Sequence, residues 1–400
     1  MNTLAVHEIP EHVPAHLVYP FDHQLDPQFR VDPHQRVTEI ARQFPQGIFY
    51  SSHRGGFWVV TGYKAYCAVA RNPDVFSSTS LVIPPHKSNS FSIPIGIDPP
   101  DHAKYRVPLM AAFGPAKIHS MERRIRELTN SLIDQVIDQR ACNVIEAIAE
   151  PLPIIFFMQL MGLPLERKQE FRDWAVETLA SADEEARLPY LYKVDELFTQ
   201  IIHERQHQPQ DDLISQIIAM QIDDRPITFE EIQGICRVLF FAGLDTVVNA
   251  IAYGIRHLAA NPDLQRRIRE NPSLASEVVD EMLRCYSFVN TGRMVMRDFE
   301  FDGLQLKAGE MVLLCNAAAD RDPQVFDNPQ QFQLDRNGPR HVAFNTGPHQ
   351  CIGSNLARME LKVLYQEWCT RIQDFRLDEQ NPPSFISGVV LGMQNLHIKW

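Results

Sequence analysis

The sequence predicts a mainly α-helical protein with small β-sheets, an α+β fold. Apolar residues recur at helical spacing through much of the stretch from residue 100 to residue 285. A proline-free segment, residues 228–260, is the longest helix candidate. Short aromatic and β-branched runs near the start and towards the end of the chain are typical of strands.

Each element follows from local pattern. The run GFWVVT at 56–61 predicts a strand, and 101–140 and 144–182 predict helices. Thr228 and Glu231 have the spacing of a capping box, so they mark the start of the long helix. That helix is apolar nearly all round past Val238, which predicts an interior position.

The remaining segments complete a single-domain expectation. From residue 297, glycine-containing turns predict short strands, a helix follows Cys351, and the last residues predict strand and turn. We expect one domain over residues 1–400, with the following ranges: β-rich near 45–65, 295–317 and 380–400; helical at 100–285 and 354–372.

Composition excludes some partners and compartments. The net charge of -12 disfavours nucleic acid, and no apolar run reaches the roughly 20 residues that span a bilayer. The seven cysteines are odd in number and scattered, which suits a reducing compartment. We therefore expect a soluble cytoplasmic protein with no nucleic-acid partner, no signal peptide and no membrane anchor.

The most specific stretch surrounds Cys351. Phe344, Gly347, Cys351 and Gly353 form the spacing F-x-x-G-x-x-x-C-x-G directly before a helix. Free N–H groups at a helix N-terminus favour a thiolate, and glycines let the backbone pass close to a flat cofactor. A lone cysteine is more often a buried structural residue, but this spacing favours an iron ligand.

This loop resembles the heme-binding loop of the cytochromes P450, which places Cys351 at the axial ligand position of heme b and Phe344 and Gly353 against the heme. The likeness extends over essentially the whole chain and is nearest to soluble bacterial enzymes of the camphor-hydroxylase type. It implies the P450 fold, with a long central helix over the heme. Glu281 and Arg284 match the structural E-x-x-R motif of the family.

The segment Ala242–Thr246, AGLDT, matches the oxygen-activating stretch of the family's central helix. Gly243 weakens the helix, and the Thr246 hydroxyl can bond back to the carbonyl of Ala242, so we expect a local opening that accepts O2. Asp245 and Thr246 would then relay protons as the catalytic pair, with Ala242 against the heme. The alternative is an Asp-Thr pair in a kinked core helix.

Four cationic side chains fall on positions that contact the heme propionates in the family. His102 and Arg106 are four residues apart, so they share one helical face. Arg293 and His349 fall on the other two positions. Each taken singly equally fits a solvated surface residue.

One residue departs from the family pattern. Many members have arginine where Gln331 stands, and that arginine completes a network with the E-x-x-R pair. The network is therefore weaker in this chain, or another group such as Arg336 completes it.

The resemblance also outlines a substrate pocket that is almost entirely apolar. A camphor-type enzyme has a tyrosine in the loop before Asp98-Pro-Pro, and this chain has none there, with Phe91 near that position. Phe241 is bulky and favours a compact or flat substrate, so we expect a small terpenoid or aromatic compound. The expected pocket residues are Leu81, Val82, Phe91, Ile93, Ile95, Val238, Phe241, Leu244, Val289, Asn290, Val389 and Val390.

The function implied is a monooxygenase that hydroxylates this substrate with O2 and two electrons. No flavin or nicotinamide motif is present, so the resemblance implies a ferredoxin with its reductase as electron source, docking near Lys104 and Arg106. Three alternatives stay open: a non-oxidative heme-thiolate isomerase or dehydratase, a peroxygenase, and a heme-based sensor.

Overall fold

The computed structural model describes residues 7–85, 92–180 and 184–400. Its α-helices, numbered α1 to α13 in chain order, are Pro33–Ala41, Tyr63–Ala70, Asp101–Phe113, Pro115–Asp134, Pro151–Met161, Lys168–Ala180, Glu184–His207, Leu213–Ile218, Phe229–Ala259, Pro262–Glu270, Ala275–Cys285, Asn316–Ala319 and Ser354–Arg371. A π-helical turn, Ile145–Ala149, precedes α5.

The described strands are short. Numbered β1 to β15, they are Val18–Tyr19, Ile48–Ser51, Phe57–Val60, Phe76–Ser77, Ala141–Asn143, Gln221–Ile222, Arg225–Pro226, Asn290–Val295, Phe299–Phe301, Leu304–Leu306, Met311–Cys315, Arg376–Leu377, Ser384–Ile386, Gly392–Asn395 and His397–Lys399. The largest sheet has six strands in the order β1-β2-β3-β11-β8-β4. In it β11 runs parallel to β3 and antiparallel to β8, so distant parts of the chain meet.

The interior has two main hydrophobic cores, and α9 contributes to both. Its residues from Ile232 to Leu244 pack with α5, α6 and α7 in an all-helical core. Its residues from Val248 to Ala259 pack with the large sheet, α11 and α13. A helix that is apolar on most faces is stable only inside a protein, and most of the apolar part of α9 is buried.

The predicted elements around the centre of the chain are confirmed. The strand within 56–61 is β3, and the helix after Cys351 is α13. The long helix is α9, and its capping box forms: Thr228 Oγ1 accepts from Glu231 N at 3.3 Å, and Thr228 N donates to Glu231 at 2.8 Å.

The boundaries of the β-rich regions differ from those predicted. Strand β8 begins at Asn290, earlier than the expected 295, because its pairing with β11 decides where it starts. The region predicted as helical, 100–285, also contains β5, β6 and β7. Pro115 begins a separate helix, so the predicted 101–140 segment is divided at Gly114.

The expected opening of the long helix at Gly243 is wrong. The backbone stays α-helical at every residue of α9. A Cβ atom on Gly243 would lie 2.6 Å from the ring of Phe157 on α5. The glycine is therefore present because α5 approaches closely, and packing supports the helix there.

Gly243→Ala tests this packing role. Alanine is the better helix former by about 1 kcal/mol, yet we expect a net loss of about 1–3 kcal/mol in unfolding free energy because the Phe157 ring must move. Urea unfolding of the holoprotein measures it. Gly243→Ala with Phe157→Leu should recover much of the loss, and a stabilised Gly243→Ala variant would contradict the close approach.

Candidate active site

The loop that carries Cys351 has a tightly determined backbone. Asn345 and Gly347 have positive φ angles of 60° and 75°. A Cβ atom on Gly347 would lie 2.6 Å from the carbonyl oxygen of Ala70, at the end of α2, so glycine is required there. Cys351 N donates to Phe344 O at 2.8 Å and closes the loop just before α13 begins.

Cys351 is more exposed than the other six cysteines. Cys351 is exposed, whereas four of the seven cysteines are buried. Burial among protein atoms nevertheless raises its pKa, while the N–H groups of Gly353 and Ser354 and the charges of Arg106 and Arg358 lower it. The expected preference for a thiolate is therefore not achieved by the helix N-terminus alone, and a coordinated cation would be needed to deprotonate the sulfur.

Phe344 lies beside this loop under a cation. The Arg358 guanidinium lies 4.6 Å from the centre of the Phe344 ring. Arg358 Nε also donates to Asp280 at 2.7 Å, which fixes the guanidinium in place. These contacts place the Phe344 ring next to Arg358, and its contact with a heme stays a prediction.

The four predicted propionate contacts form a cluster of two histidine rings and two arginines. The His102 and His349 rings lie 4.4 Å apart, and His102 Nε2 and both nitrogens of His349 are buried without a hydrogen-bond partner. Burial first, then Arg293, His102 and Arg106, lowers the pKa of His349 to about 3. Arg293 is 2% exposed, and its side chain donates to the carbonyl of its neighbour, Gly292 O, at 2.7 Å.

Sequence reasoning missed a fifth polar group that belongs with this cluster. The hydroxyl of Thr291 on β8 is buried without a partner. Side chains alternate along a strand, so Thr291 lies on the same side as Val289 and Arg293. The sequence signal that could have identified Thr291 is its spacing of two residues from Arg293, which places both side chains on one face of a strand. Buried polar groups are rarely left unpaired in proteins, so this cluster fits the two carboxylates of a heme.

The middle of α9 positions the predicted acid and alcohol. Thr246 Oγ1 donates to Ala242 O at 3.0 Å, as predicted, and Ala242 is exposed although α9 is a core helix. Burial, and secondarily the charge of Glu150, raise the pKa of Asp245 to about 6, while Arg172 opposes them. A carboxyl group that titrates near neutrality can both hold and release a proton.

The structure resolves the question raised by Gln331. Glu281 accepts from Arg284 Nε and Nη2 at 2.7 Å, and from Arg336 Nε at 3.1 Å. Arg284 and Arg336 both also donate to the Gln331 carbonyl, at 3.2 and 2.8 Å. Arg336 thus takes the place in the network that arginine at 331 would fill.

Two groups of the expected pocket residues are brought together. Val289 bridges Val390, and the N–H of Asn290 donates to Val389 O at 2.8 Å. Leu81 O accepts from Gly292 N on the same strand at 2.7 Å. The second group, in the helical core, comprises Ile93, Phe241 and Leu244, of which Ile93 and Leu244 are buried and Phe241 is half-buried; Val238, also on α9, is half-buried and lies outside that core.

Other pocket expectations have different outcomes. Asn290 is buried with an unpartnered Oδ1 on the opposite strand face from Val289 and Thr291, so it does not join them. Val82 and Ile95 are half-buried. Phe91 lies outside the described residues.

Comparisons with known proteins agree with this arrangement. Residues 190–400 match the family model described as cytochrome P450. The probable cytochrome P450 127A1 of Sinorhizobium fredii is 31% identical, covering 98% of this chain and 97% of that protein. Linalool 8-monooxygenase of Pseudomonas putida is 28% identical, covering 92% and 95%. A crystal structure of CYP101J2 matches with a TM-score of 0.90 and 32% identity, covering 98% and 99%.

A helical fold with small sheets, a cysteine loop, and two arginines clustered with buried, unpartnered imidazole nitrogens fit a heme-binding oxidoreductase. The chain belongs to the cytochrome P450 family. It has the P450 fold, binds heme b, and is a monooxygenase that uses O2 and electrons from a redox partner.

Arg336→Met tests the replacement of the missing arginine. Arg336 and Glu281 are 8% and 7% exposed, so we expect a loss of about 2 kcal/mol in unfolding free energy, the scale of a hydrogen bond to a charged group. Arg340→Met, at an exposed arginine, is the matched control. Adding Gln331→Arg should restore part of the loss, and equal stability of both methionine variants would reject the role.

Proposed function

We propose that Cys351 is the axial iron ligand, and that His102, Arg106, Arg293 and His349, with Thr291, bind the heme carboxylates. The observation that carries this proposal is the set of buried, unpartnered nitrogens of His102 and His349, of which His349 lies two residues before an exposed cysteine. Ala242, Phe344 and Gly353 would contact the heme faces. We infer that residues 1–400 act as one domain.

When bound, heme supplies the reduction and cleavage of O2. The chain's own part is to deliver protons and exclude water. The Asp245 carboxyl would pass a proton to the Thr246 hydroxyl, which lies one residue further along α9. The bond from Thr246 Oγ1 to Ala242 O orients that hydroxyl, and Glu281 and Arg284 stabilise the region beneath the heme from a distance.

We infer that the electrons come from an acidic iron–sulfur protein of the ferredoxin type, served by a reductase. Two arginines at the cysteine loop support this, since Arg71 donates to Thr346 and Arg106 to Gln350 O, whereas the charge of Arg358 is paired with Asp280. Positive charge concentrated on one face steers an acidic partner despite a negative total charge. Lys104, expected at this surface, is neutralised by Asp101 and Asp223 at 2.8 and 2.7 Å.

We propose a small terpenoid or aromatic substrate in a soluble cytoplasmic enzyme. The apolar residues on α9 and β8 support an apolar substrate, and the bulk of Phe241 supports a compact one. The likeness to linalool 8-monooxygenase is consistent with a terpenoid alcohol.

The carbon-monoxide difference spectrum of the reduced protein tests the ligand. We expect the red-shifted Soret band of thiolate ligation in the wild type. Cys351→His should give the unshifted band of histidine-ligated heme, because a neutral nitrogen replaces the thiolate. Cys67→Ser, at another free cysteine, is the control and should keep the shifted band. The unshifted band in the wild type would reject Cys351 as ligand.

Thr246→Ala tests the proton relay, with linalool as trial substrate and a surrogate ferredoxin system. We expect normal heme content and an unchanged spin-state shift on linalool binding, but several-fold less product per electron and more hydrogen peroxide, because loss of a positioned proton donor costs about 10²-fold or more in its step. Thr246→Ser should keep most coupling. Unchanged coupling in the alanine variant would contradict the role. Incorporation of label from O2 into wild-type product separates the monooxygenase from isomerase, dehydratase, peroxygenase and sensor.

A further inference from the structure

Two charged groups from other elements act on Asp245. Glu150 lies at the junction of the π-helical turn and α5, and Arg172 lies on α6. The π-helical turn, α5 and α6 all pack against α9, and α5 also packs against α6. Three segments distant in sequence therefore bring two carboxyl groups and one guanidinium together.

The guanidinium pairs with one carboxylate and not with the other. Arg172 Nη2 donates to Glu150 Oε1 in a short contact, and Arg172 Nη1 lies 3.9 Å from Asp173. Within residues 7–85, 92–180 and 184–400, the Asp245 carboxyl has no hydrogen bond or ion pair. Its backbone carbonyl is fixed separately by Asn249 Nδ2 at 3.1 Å.

Backbone hydrogen bonds on both sides fix the position of Glu150. Glu150 N donates to Ile145 O at 2.9 Å, closing the π-helical turn, and Ile154 N donates to Glu150 O at 3.3 Å. Pro151 follows directly and has no N–H of its own. A π-helical turn is rare and is frequently found at functional sites, and this one ends at Glu150, the residue that binds Arg172.

We propose that Glu150 is a positioning residue for proton supply: by binding Arg172 it keeps that guanidinium off Asp245, so that Asp245 carries a transferable proton. This inference rests on the proposed function of Asp245. In each transfer Asp245 gives one proton towards Thr246 and takes up one proton from the bulk solvent. The protonation states of Asp245, Glu150 and Arg172, the triad of this proposal, are therefore the same before and after the transfer. An Asp245 paired with Arg172 would remain a carboxylate and have no proton to give.

The charges around the triad agree with this assignment. Burial raises the pKa of Glu150, Arg172 opposes it, and Glu146 and Asp173 add to the increase. The pKa of Asp245, about 6, responds to Glu150 and Arg172 in opposite directions. An opposite charge that moves to within about 4–6 Å of a carboxyl group typically lowers its pKa by about 1–3. Release of Arg172 from Glu150 towards Asp245 would therefore lower the pKa of Asp245.

A double-mutant cycle on the holoprotein tests the proposal. Infrared titration measures the protonated carboxyl band of Asp245, which is identified by its loss in Asp245→Asn. We expect Glu150→Gln to shift this titration down by about one pH unit, and Arg172→Met to shift it up. In the Arg172→Met background, Glu150→Gln should have a much smaller effect than in the wild type.

Turnover gives the second measurement. With linalool and the surrogate ferredoxin system, the descending limb of kcat against pH should move with the infrared midpoint, because the protonated form is required. Glu150→Gln should then lose up to about tenfold in kcat above that limb, with substrate binding unchanged. Glu146→Gln is the matched control, since Glu146 accepts from Asn143 and its charge acts on Glu150 but is not among the causes that shift Asp245; it should shift both measurements far less than Glu150→Gln.

The outcomes separate the two levels of inference. An equal shift from Glu150→Gln with and without Arg172, or no shift at all, would overturn the positioning role and leave the monooxygenase assignment intact. A wild-type protein without the thiolate-type carbon-monoxide spectrum would instead overturn the proposed function itself.

Discussion

The site depends on one helix that serves two cores at once. Buried residues of α9 belong to the all-helical core as far as Leu244, and to the sheet-containing core from Val248 onwards. Close-packed interiors resist displacement, so α9 is fixed from both sides and the half-buried residues between, Asp245 and Thr246, occupy a determined position. Ile352, next to Cys351, packs against the same helical core. The same packing therefore fixes the positions of Asp245, Thr246 and the cysteine loop relative to one another.

The cofactor is part of this fold's electrostatic balance. Burial lowers the pKa values of Arg293, His102 and Arg106, and the charge of Asp98 offsets this only partly for Arg293 and His102. A buried unpaired charge is costly. Two carboxylates supplied by heme would remove that cost, so heme binding and native stability are linked. The same linkage explains why a raised Cys351 pKa in the polypeptide is compatible with a thiolate ligand.

Local sequence pattern predicted the features that depend on neighbours in the chain. The capping box at Thr228, the helix after Cys351 and the bond from Thr246 to Ala242 each involve residues at most four apart. Features decided by distant partners were missed or misread. Gly243 was assigned to helix opening because nothing local shows that Phe157 approaches it. Asn290 was placed in the pocket because the strand face it takes depends on pairing with β11.

Two clusters of carboxyl and guanidinium groups differ in the ratio of the two charges. This ratio decides whether the carboxyl groups stay ionised or can change their protonation state. At Glu281 one carboxylate meets two guanidiniums; burial would raise its pKa, but the bonds and charges of Arg284 and Arg336 bring the pKa below its usual value. Around Arg172 the guanidinium pairs with Glu150 but not with Asp245, and the pKa values of both carboxyl groups are raised.

The consequence is a difference in what each cluster can do. A carboxylate with excess cations stays ionised and binds its partners permanently, which suits the support of the cysteine loop. A carboxyl group that has no cation of its own, such as Asp245, can change its protonation state near neutral pH, which suits the delivery of protons. The sequence could suggest Arg336 as the residue that completes the Glu281 network, because the family resemblance showed that position 331 lacks the usual arginine. The sequence could not suggest a role for Glu150, since its effect on Asp245 arises only where α5, α6 and α9 meet.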